Sequence, residues 1–113
     1  MNILILGSGI VGANLAKKLS EQGKNVFLLD DDANELKNLS ERFDIKTIYD
    51  DPLNPSFYKN FDTKIDYFIA VTRSDEKNII TSKFAKEFLN VDKSIARVRN
   101  QNLILDENKS LLI

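Results

Sequence analysis

Three glycines near the amino terminus have the spacing of a phosphate-binding turn. The segment GSGIVG places Gly7, Gly9 and Gly12 in the pattern G-x-G-x-x-G, after an apolar run and at the start of a helical pattern. There, the first glycine permits a tight turn, the second lets a pyrophosphate approach the backbone, and the third lets the helix pack on the sheet. The phosphate meets unpaired N–H groups at the positive helix end. Glycines also form ordinary turns, so the motif needs supporting residues.

Asp30 provides that support. It ends the apolar run NVFLLD, 23 residues after Gly7, close to the offset of about 20 residues expected for an acid that accepts hydrogen bonds from a ribose diol. A carboxylate there repels a 2′-phosphate, so NAD or an adenosine nucleotide is favoured over NADP. A solvent-exposed turn residue is the alternative role for Asp30. Asp31 and Asp32 add to the repulsion, but the start of a helix explains both.

The composition excludes several kinds of site. The chain has no cysteine and no histidine, which excludes disulfides, Ser-His-Asp or Cys-His catalysis and structural zinc, and leaves only a carboxylate site for magnesium or calcium open. Sixteen basic and seventeen acidic residues, without a block of one sign, predict no nucleic-acid partner. No apolar stretch has the length of a membrane span. We therefore expect a cytoplasmic chain that forms one domain over 1–113, without catalytic residues or metal ligands.

Apolar runs alternate with segments of helical period, which predicts βαβ units. The expected fold class is α/β: a Rossmann-like, doubly wound parallel sheet with helices on both faces. Strands are predicted over residues 3–6, 26–29, 47–49, 67–71 and 95–98.

Three clear helices are predicted from apolar spacing and capping residues. The second begins at Asp32, whose carboxylate can cap backbone N–H groups while Glu35 reaches back. The third begins after Ser74 and ends at Asn90. Over 50–61 the pattern weakens, and two prolines indicate a loop with about one turn of helix. The side chains expected to face the core are Val11, Leu15, Leu19, Leu36, Leu39, Phe43, Ile80, Phe84, Phe88 and the remaining aromatic residues.

The carboxyl ends of the first and fourth strands should meet where the strand order reverses, which is where such sheets bind ligands. Thr72 and Arg73 follow the fourth strand and should face the glycine turn, whereas Asp75 is assigned to the helix start alone. Arg97 and Arg99 point the same way if they lie in a strand, so that face must meet anions or water. A ligand phosphate is favoured for Arg97. An ion pair with a neighbouring subunit or a helix carboxylate is favoured for Arg99.

Four segments together resemble a known family: MNILILGSGIVGANLAKKLSEQGKNVFLLD, RFDIKTIYDDPLNPSFY, AVTRSDEKN and SIARVRN. They are similar to the N-terminal nucleotide-binding domain of Trk-type potassium-uptake regulators, within the RCK/KTN family. The resemblance implies a regulatory subunit that binds NAD⁺ or NADH, assembles as a dimer or a tetrameric ring, and gates a membrane potassium transporter subunit from the inner face of the cell membrane. It also implies that the chain is part of a longer protein. The terminal LLI is the candidate start of a sixth strand.

The resemblance further implies the positions of the ligand. The pyrophosphate lies on the glycine turn, the adenine-side ribose on Asp30, the adenine near 51–53, and a phosphate on Arg97. Two segments depart from the family pattern: DDPL alters the adenine pocket, and QNLIL follows ARVRN where relatives have other residues. The implied cofactor-binding set is Gly7, Ser8, Gly9, Ile10, Val11, Gly12, Asp30, Asp51, Pro52, Leu53, Thr72, Arg73 and Arg97.

Two alternatives to this regulator remain. One is the regulatory domain of a potassium channel or antiporter that senses ATP or ADP, because these nucleotides present the same diol to Asp30. The other, less favoured, is the cofactor domain of an NAD-dependent dehydrogenase. The chain offers no histidine and no obvious lysine and tyrosine pair for that chemistry.

Overall fold

A computed structural model describes residues 1–105 and 110–111. The strands are β1 (Asn2–Leu6), β2 (Asn25–Asp30), β3 (Lys46–Tyr49), β4 (Tyr67–Ala70), β5 (Lys93–Ala96), β6 (Ile104–Leu105) and β7 (Ser110–Leu111). The α-helices are α1 (Ile10–Glu21), α2 (Ala33–Arg42), α3 (Pro55–Asn60) and α4 (Asp75–Phe84). A π-helical turn (Ala85–Leu89) continues α4, and a 3₁₀ turn (Gln101–Leu103) precedes β6.

The first five strands form one parallel sheet in the order β3-β2-β1-β4-β5. The order reverses between β1 and β4, so the α/β, doubly wound prediction is confirmed. The strands β6 and β7 form a separate antiparallel pair, in which Ile104 lies opposite Leu111. The predicted sixth strand at LLI begins within β7, and its residues 112–113 lie outside the described residues.

Helices cover both faces of the sheet because successive side chains of β1 point to opposite sides. Ile3 and Ile5 pack with α1 and α2, whereas Leu4 and Leu6 pack with α3 and α4. The first layer is completed by Ala16, Val26, Leu28, Leu36 and Leu39. The second layer contains Phe27, Leu29, Tyr58, Ile65, Phe68, Ala70, Ala85 and Leu89.

Most of the predicted helix ends are confirmed. The Asp32 carboxylate accepts a hydrogen bond from the N–H of Glu35 at 3.1 Å, and Asn90 ends the π-helical turn in the left-handed conformation, with φ 52°. The prediction that Glu35 reaches back to Asp32 is wrong, because the Asp32 N–H donates to Oδ1 of Asp30 at 3.2 Å. The carboxylate of Asp30 therefore helps to begin α2.

The predicted core stripe is wrong at several positions. Exposed side chains that we expected to be buried are Val11, Tyr49, Ile80 and Phe88. In α4, polar residues occupy the face against the sheet instead. Thr81 donates to the carbonyl of Lys77 at 2.7 Å, and Ser82 donates to that of Ile79 at 2.8 Å. Because these hydroxyl groups are paired within the helix, they can be buried at low cost, and apolar spacing alone does not detect them.

The fifth strand begins and ends two residues earlier than predicted, at Lys93–Ala96 instead of 95–98. It lies at the edge of the sheet, where polar residues are tolerated, and Ser94 donates to the carbonyl of Ser82 at 2.6 Å. Arg97 and Arg99 therefore follow the strand. The condition that both lie in a strand, under which they would point the same way, is not met.

The turn between β1 and α1 depends on two glycines. Gly7 has φ +117°, a conformation that other residues rarely adopt. A Cβ atom on Gly12 would lie 1.7 Å from the carbonyl oxygen of Gly7, so α1 packs directly on the turn. A Cβ atom on Gly9 would have no described atom within 4 Å.

We expect Gly12→Ser to lower the free energy of unfolding by about 3 kcal/mol or more, because the new side chain overlaps the turn. Gly9→Ser is the matched control. Serine is a good N-cap residue, so this variant should unfold within about 0.5 kcal/mol of the wild type or be more stable. Urea denaturation followed by circular dichroism measures both. Equal stability of the two variants would contradict this view of the turn.

Candidate functional site

A groove of about 930 Å³ opens along the carboxyl edge of the sheet, where the strand order reverses. It runs from the turn after β1 to the segments that follow β4 and β5, and it is bordered by α1, α2 and α4. The residues that line it are Gly7, Ser8, Gly9, Ile10, Val11, Ala13, Asn14, Lys17, Asp30, Asp31, Asp32, Glu35, Leu39, Arg42, Phe43, Val71, Thr72, Arg73, Lys77, Arg97 and Arg99.

The amino-terminal end of α1 presents backbone N–H donors to this groove. Side chains cap α2, α3 and α4 through Asp32, Asn54 and Ser74. In the described part of the chain, no side chain caps α1. Its N-cap residue, Gly9, has an ordinary extended backbone (φ −70°, ψ −168°) and open space where a side chain would be. The first N–H groups of α1 are therefore accessible, and the helix dipole makes this point favourable for an anion.

Asp30 faces the same end of α1 and is bonded to the glycine turn. Its Oδ2 accepts hydrogen bonds from the N–H and the hydroxyl group of Ser8, both at 2.6 Å. Its Oδ1 accepts from the N–H groups of Asp31, at 2.7 Å, and Asp32, at 3.2 Å. Burial acts to raise the pKa of Asp30, but the hydrogen bonds from Ser8 and Asp31 outweigh it and lower the pKa below its ordinary value. The carboxylate is therefore ionised at neutral pH.

Asn78 joins the two segments on the other side of the groove, and sequence analysis missed it. Its Oδ1 accepts from the N–H of Thr72 at 2.9 Å and from the Thr72 hydroxyl group at 2.7 Å. Its Nδ2 donates to the carbonyls of Thr72 at 3.0 Å and Arg97 at 2.9 Å. All the hydrogen-bonding positions of this fully buried amide are thereby used. The only signal in the sequence was its place at the end of AVTRSDEKN, one of the four segments that carry the family resemblance.

Asp75 does more than begin α4, so its assignment to the helix start alone is wrong. Its two carboxylate oxygens accept hydrogen bonds from the N–H groups of Arg99, at 3.0 Å, and Asn100, at 2.8 Å. These hydrogen bonds, aided by the nearby charges of Arg99 and Arg97, lower the pKa of Asp75. The Arg99 guanidinium donates to the carbonyl of Arg73 at 2.6 Å. The segment after β5 is thus fastened across the start of α4.

The charges that line the groove are arranged by sign. The acidic side chains belong to the end of β2 and the first turn of α2: Asp30, Asp31, Asp32 and Glu35. Four basic side chains belong to α4 and to the segments after β4 and β5: Arg73, Lys77, Arg97 and Arg99. Two more, Lys17 and Arg42, lie on α1 and α2. The sequence pattern did not predict Lys17, Arg42 or Lys77 as part of the site, because single basic residues on helices carry no motif.

Four members of the predicted set are not among the lining residues of the groove: Gly12, Asp51, Pro52 and Leu53. Gly12 is buried against the glycine turn. Pro52 is also buried, and its carbonyl accepts a hydrogen bond from the Tyr58 hydroxyl group at 2.7 Å. Burial, together with the charges of Asp51 and Asp50, raises the pKa of Tyr58. This phenol therefore stays protonated, and its hydrogen bond to Pro52 holds the loop. The contact of residues 51–53 with adenine stays a prediction.

Within residues 1–105 and 110–111, no group of three or more acidic side chains could hold a metal ion. None of the helices in that part of the chain has the length and apolar character needed to cross a bilayer.

The model of the TrkA-N domain family matches residues 3–107. The chain belongs to the TrkA-N family. A Trk system potassium uptake protein TrkA from Haemophilus influenzae is 31% identical over 110 residues, which cover 96% of this chain and 24% of the relative. One from Halomonas elongata is 36% identical over 100 residues, which cover 88% and 22%. The chain thus spans about a quarter of the length of these curated relatives.

Solved structures support the fold of this TrkA-N domain. The NAD(P)-binding domain of an exopolyphosphatase-related protein from Archaeoglobus fulgidus superposes with a TM-score of 0.75, at 21% identity, over 88% of this chain and 75% of that one. L-tryptophan dehydrogenase from Nostoc punctiforme gives a TM-score of 0.62, also at 21% identity, over 91% of this chain and 29% of that one. At these identities, the likeness shows the α/β fold alone.

We expect Asn78→Leu to lower the free energy of unfolding by about 2–4 kcal/mol, because the half-buried backbone groups of Thr72 and Arg97 lose their hydrogen-bond partners. The exposed helical residue Asn38 gives the control, and Asn38→Ala should change stability by less than about 0.5 kcal/mol. Urea denaturation measures both variants. A loss no larger for Asn78→Leu than for the control would show that the buried amide does not hold these segments.

Proposed function

We propose that the groove binds NAD⁺ or NADH, with the pyrophosphate at the start of α1 and the adenine-side ribose on Asp30. The observation that carries this proposal is the start of α1, which no described side chain caps and where Gly9 leaves open space opposite an ionised carboxylate. No described protein atom would meet a Cβ atom at Gly9, so packing within the chain does not require a glycine there. A ligand that must approach the backbone does require one.

The arrangement of charge suits a dinucleotide better than a single phosphate. A phosphate group at the start of α1 accepts hydrogen bonds from the N–H groups of Ile10 and Val11, which lie in the first turn of that helix. Asp30 accepts from the ribose diol, which is neutral, and repels a 2′-phosphate, so NAD is preferred to NADP. Thr72 and Arg73 border the point where the dinucleotide crosses to the second half of the sheet, and Arg97 supplies a positive charge there.

We propose further that this domain belongs to a cytoplasmic regulatory subunit of a Trk-type potassium uptake system. The family model and the names of the curated relatives support this assignment. In such a subunit, the nucleotide shifts the population of conformations of a homo-oligomer, and the oligomer gates a membrane potassium transporter. The protein performs no chemical reaction on the nucleotide, so a catalytic residue is not needed.

ATP or ADP is the second candidate ligand, in a potassium channel or antiporter regulator. The four basic side chains at the β4 and β5 end of the groove favour ATP or ADP. Their combined positive charge exceeds the negative charge of a diphosphate, so they could also meet a third phosphate. The dehydrogenase alternative is supported only by fold likeness to enzymes.

Calorimetric titration of the chain with NAD⁺, NADH, NADP⁺, ATP and ADP tests the proposal. We expect NADH or NAD⁺ to bind, and NADP⁺ to bind at least about tenfold more weakly, because its 2′-phosphate meets Asp30. Comparable affinity for NADP⁺ would refute the role of Asp30. Tighter binding of ATP than of either dinucleotide would establish the second candidate, and reduction of a small substrate by NADH would establish an enzyme.

Gly9→Asp should weaken the binding of NADH by about a hundredfold while preserving the fold, because the new carboxylate caps α1 and repels the phosphate. Asn38→Asp adds the same charge at an exposed position outside the groove and should bind NADH like the wild type. Calorimetry gives the affinities, and circular dichroism confirms that both variants are folded. Unchanged affinity of Gly9→Asp would place the phosphate elsewhere.

A further inference from the structure

The carboxylate of Asp30 already has a full set of hydrogen bonds from its own chain. A carboxylate has about four acceptor positions, two on each oxygen. The described residues fill all four, with the N–H groups of Ser8, Asp31 and Asp32 and the hydroxyl group of Ser8. A ribose diol must therefore displace at least one of these donors before Asp30 can accept from it.

The four donors differ in how easily they can leave. Three are backbone N–H groups fixed by the glycine turn and by the start of α2, and moving any of them changes the path of the chain. The fourth is the hydroxyl group of Ser8, which leaves by rotation about a single side-chain bond. Ser8 is only 4% exposed, so solvent competes little for this hydroxyl group while it is bonded to Asp30.

We infer that the Ser8 hydroxyl group occupies the acceptor position on Asp30 that a ribose hydroxyl group takes, and that Ser8 thereby sets the affinity of the groove for nucleotides. This inference rests on the proposed function. It makes Ser8 an internal competitor of the ribose, distinct from the backbone of the same residue, which belongs to the phosphate-binding turn. It also predicts that removing the hydroxyl group raises the affinity of the groove for nucleotides.

Ser8→Ala removes the competitor and leaves three backbone donors to hold Asp30 in place. We expect this variant to bind NADH and ATP about fivefold more tightly than the wild type, the effect of one net hydrogen bond. It should bind 2′,3′-dideoxy-ATP, which has no diol, with unchanged affinity. Ser20→Ala is the matched control, because it removes a hydroxyl hydrogen bond to the carbonyl of Asp44 outside the groove, and it should bind all three ligands like the wild type.

Calorimetry with these ligands separates the outcomes. Unchanged or weaker binding of NADH by Ser8→Ala overturns the inference while leaving the proposed function intact. An equal gain for 2′,3′-dideoxy-ATP also overturns it, because the gain then does not depend on the diol. If the wild type binds neither NADH nor ATP, the proposed function fails and this inference fails with it.

A measurement without ligand tests the same hydrogen bond. Titration of the Asp30 carboxyl group by NMR should give a higher pKa in Ser8→Ala than in the wild type, because a hydrogen bond to the ionised form is lost. The same pKa in both proteins would show that the hydroxyl group does not occupy Asp30 in solution, and would overturn the inference even if the affinity changed.

Discussion

The close contact between the start of α1 and the turn after β1 is the constraint on which the site depends. Only a glycine at position 12 lets the helix lie against the carbonyl of Gly7. The same turn is tied to β2, because the Gly7 N–H donates to the carbonyl of Leu29 at 3.0 Å. These contacts direct the free N–H groups of α1 toward the carboxyl edge of the sheet, where the groove lies.

Electrostatics then divides the groove into two halves. Asp30 stays ionised because the chain surrounds its carboxylate with donors, and the acidic start of α2 extends that negative region. The basic residues come from the other half of the sheet. The amino-terminal end of α1 lies between these regions. A ligand with a neutral diol at one end and phosphate groups further along matches this order of charges, which neither half provides by itself.

The second half of the site depends on polar groups buried in α4. Asn78 connects the segment after β4 with the segment after β5, and Asp75 holds the backbone of Arg99 and Asn100. Residues that face the proposed ligand are thereby linked to the chain that leaves β5. The helix accordingly buries polar side chains where a stripe of apolar ones was expected.

The sequence by itself determined the alternation of strands and helices, the glycine turn, the acid at the end of β2 and most of the helix ends, because each depends on residues a few positions apart. The tertiary structure decided the bounds of β5, the polar face of α4, the exposure of Ile80 and Phe88, and the inclusion of Lys17, Arg42 and Lys77 in the groove. It also revealed that Ser8 bonds to Asp30, across 22 positions of the chain. Such partners come into contact only when the elements pack, so apolar periodicity does not predict which polar groups form hydrogen bonds with each other.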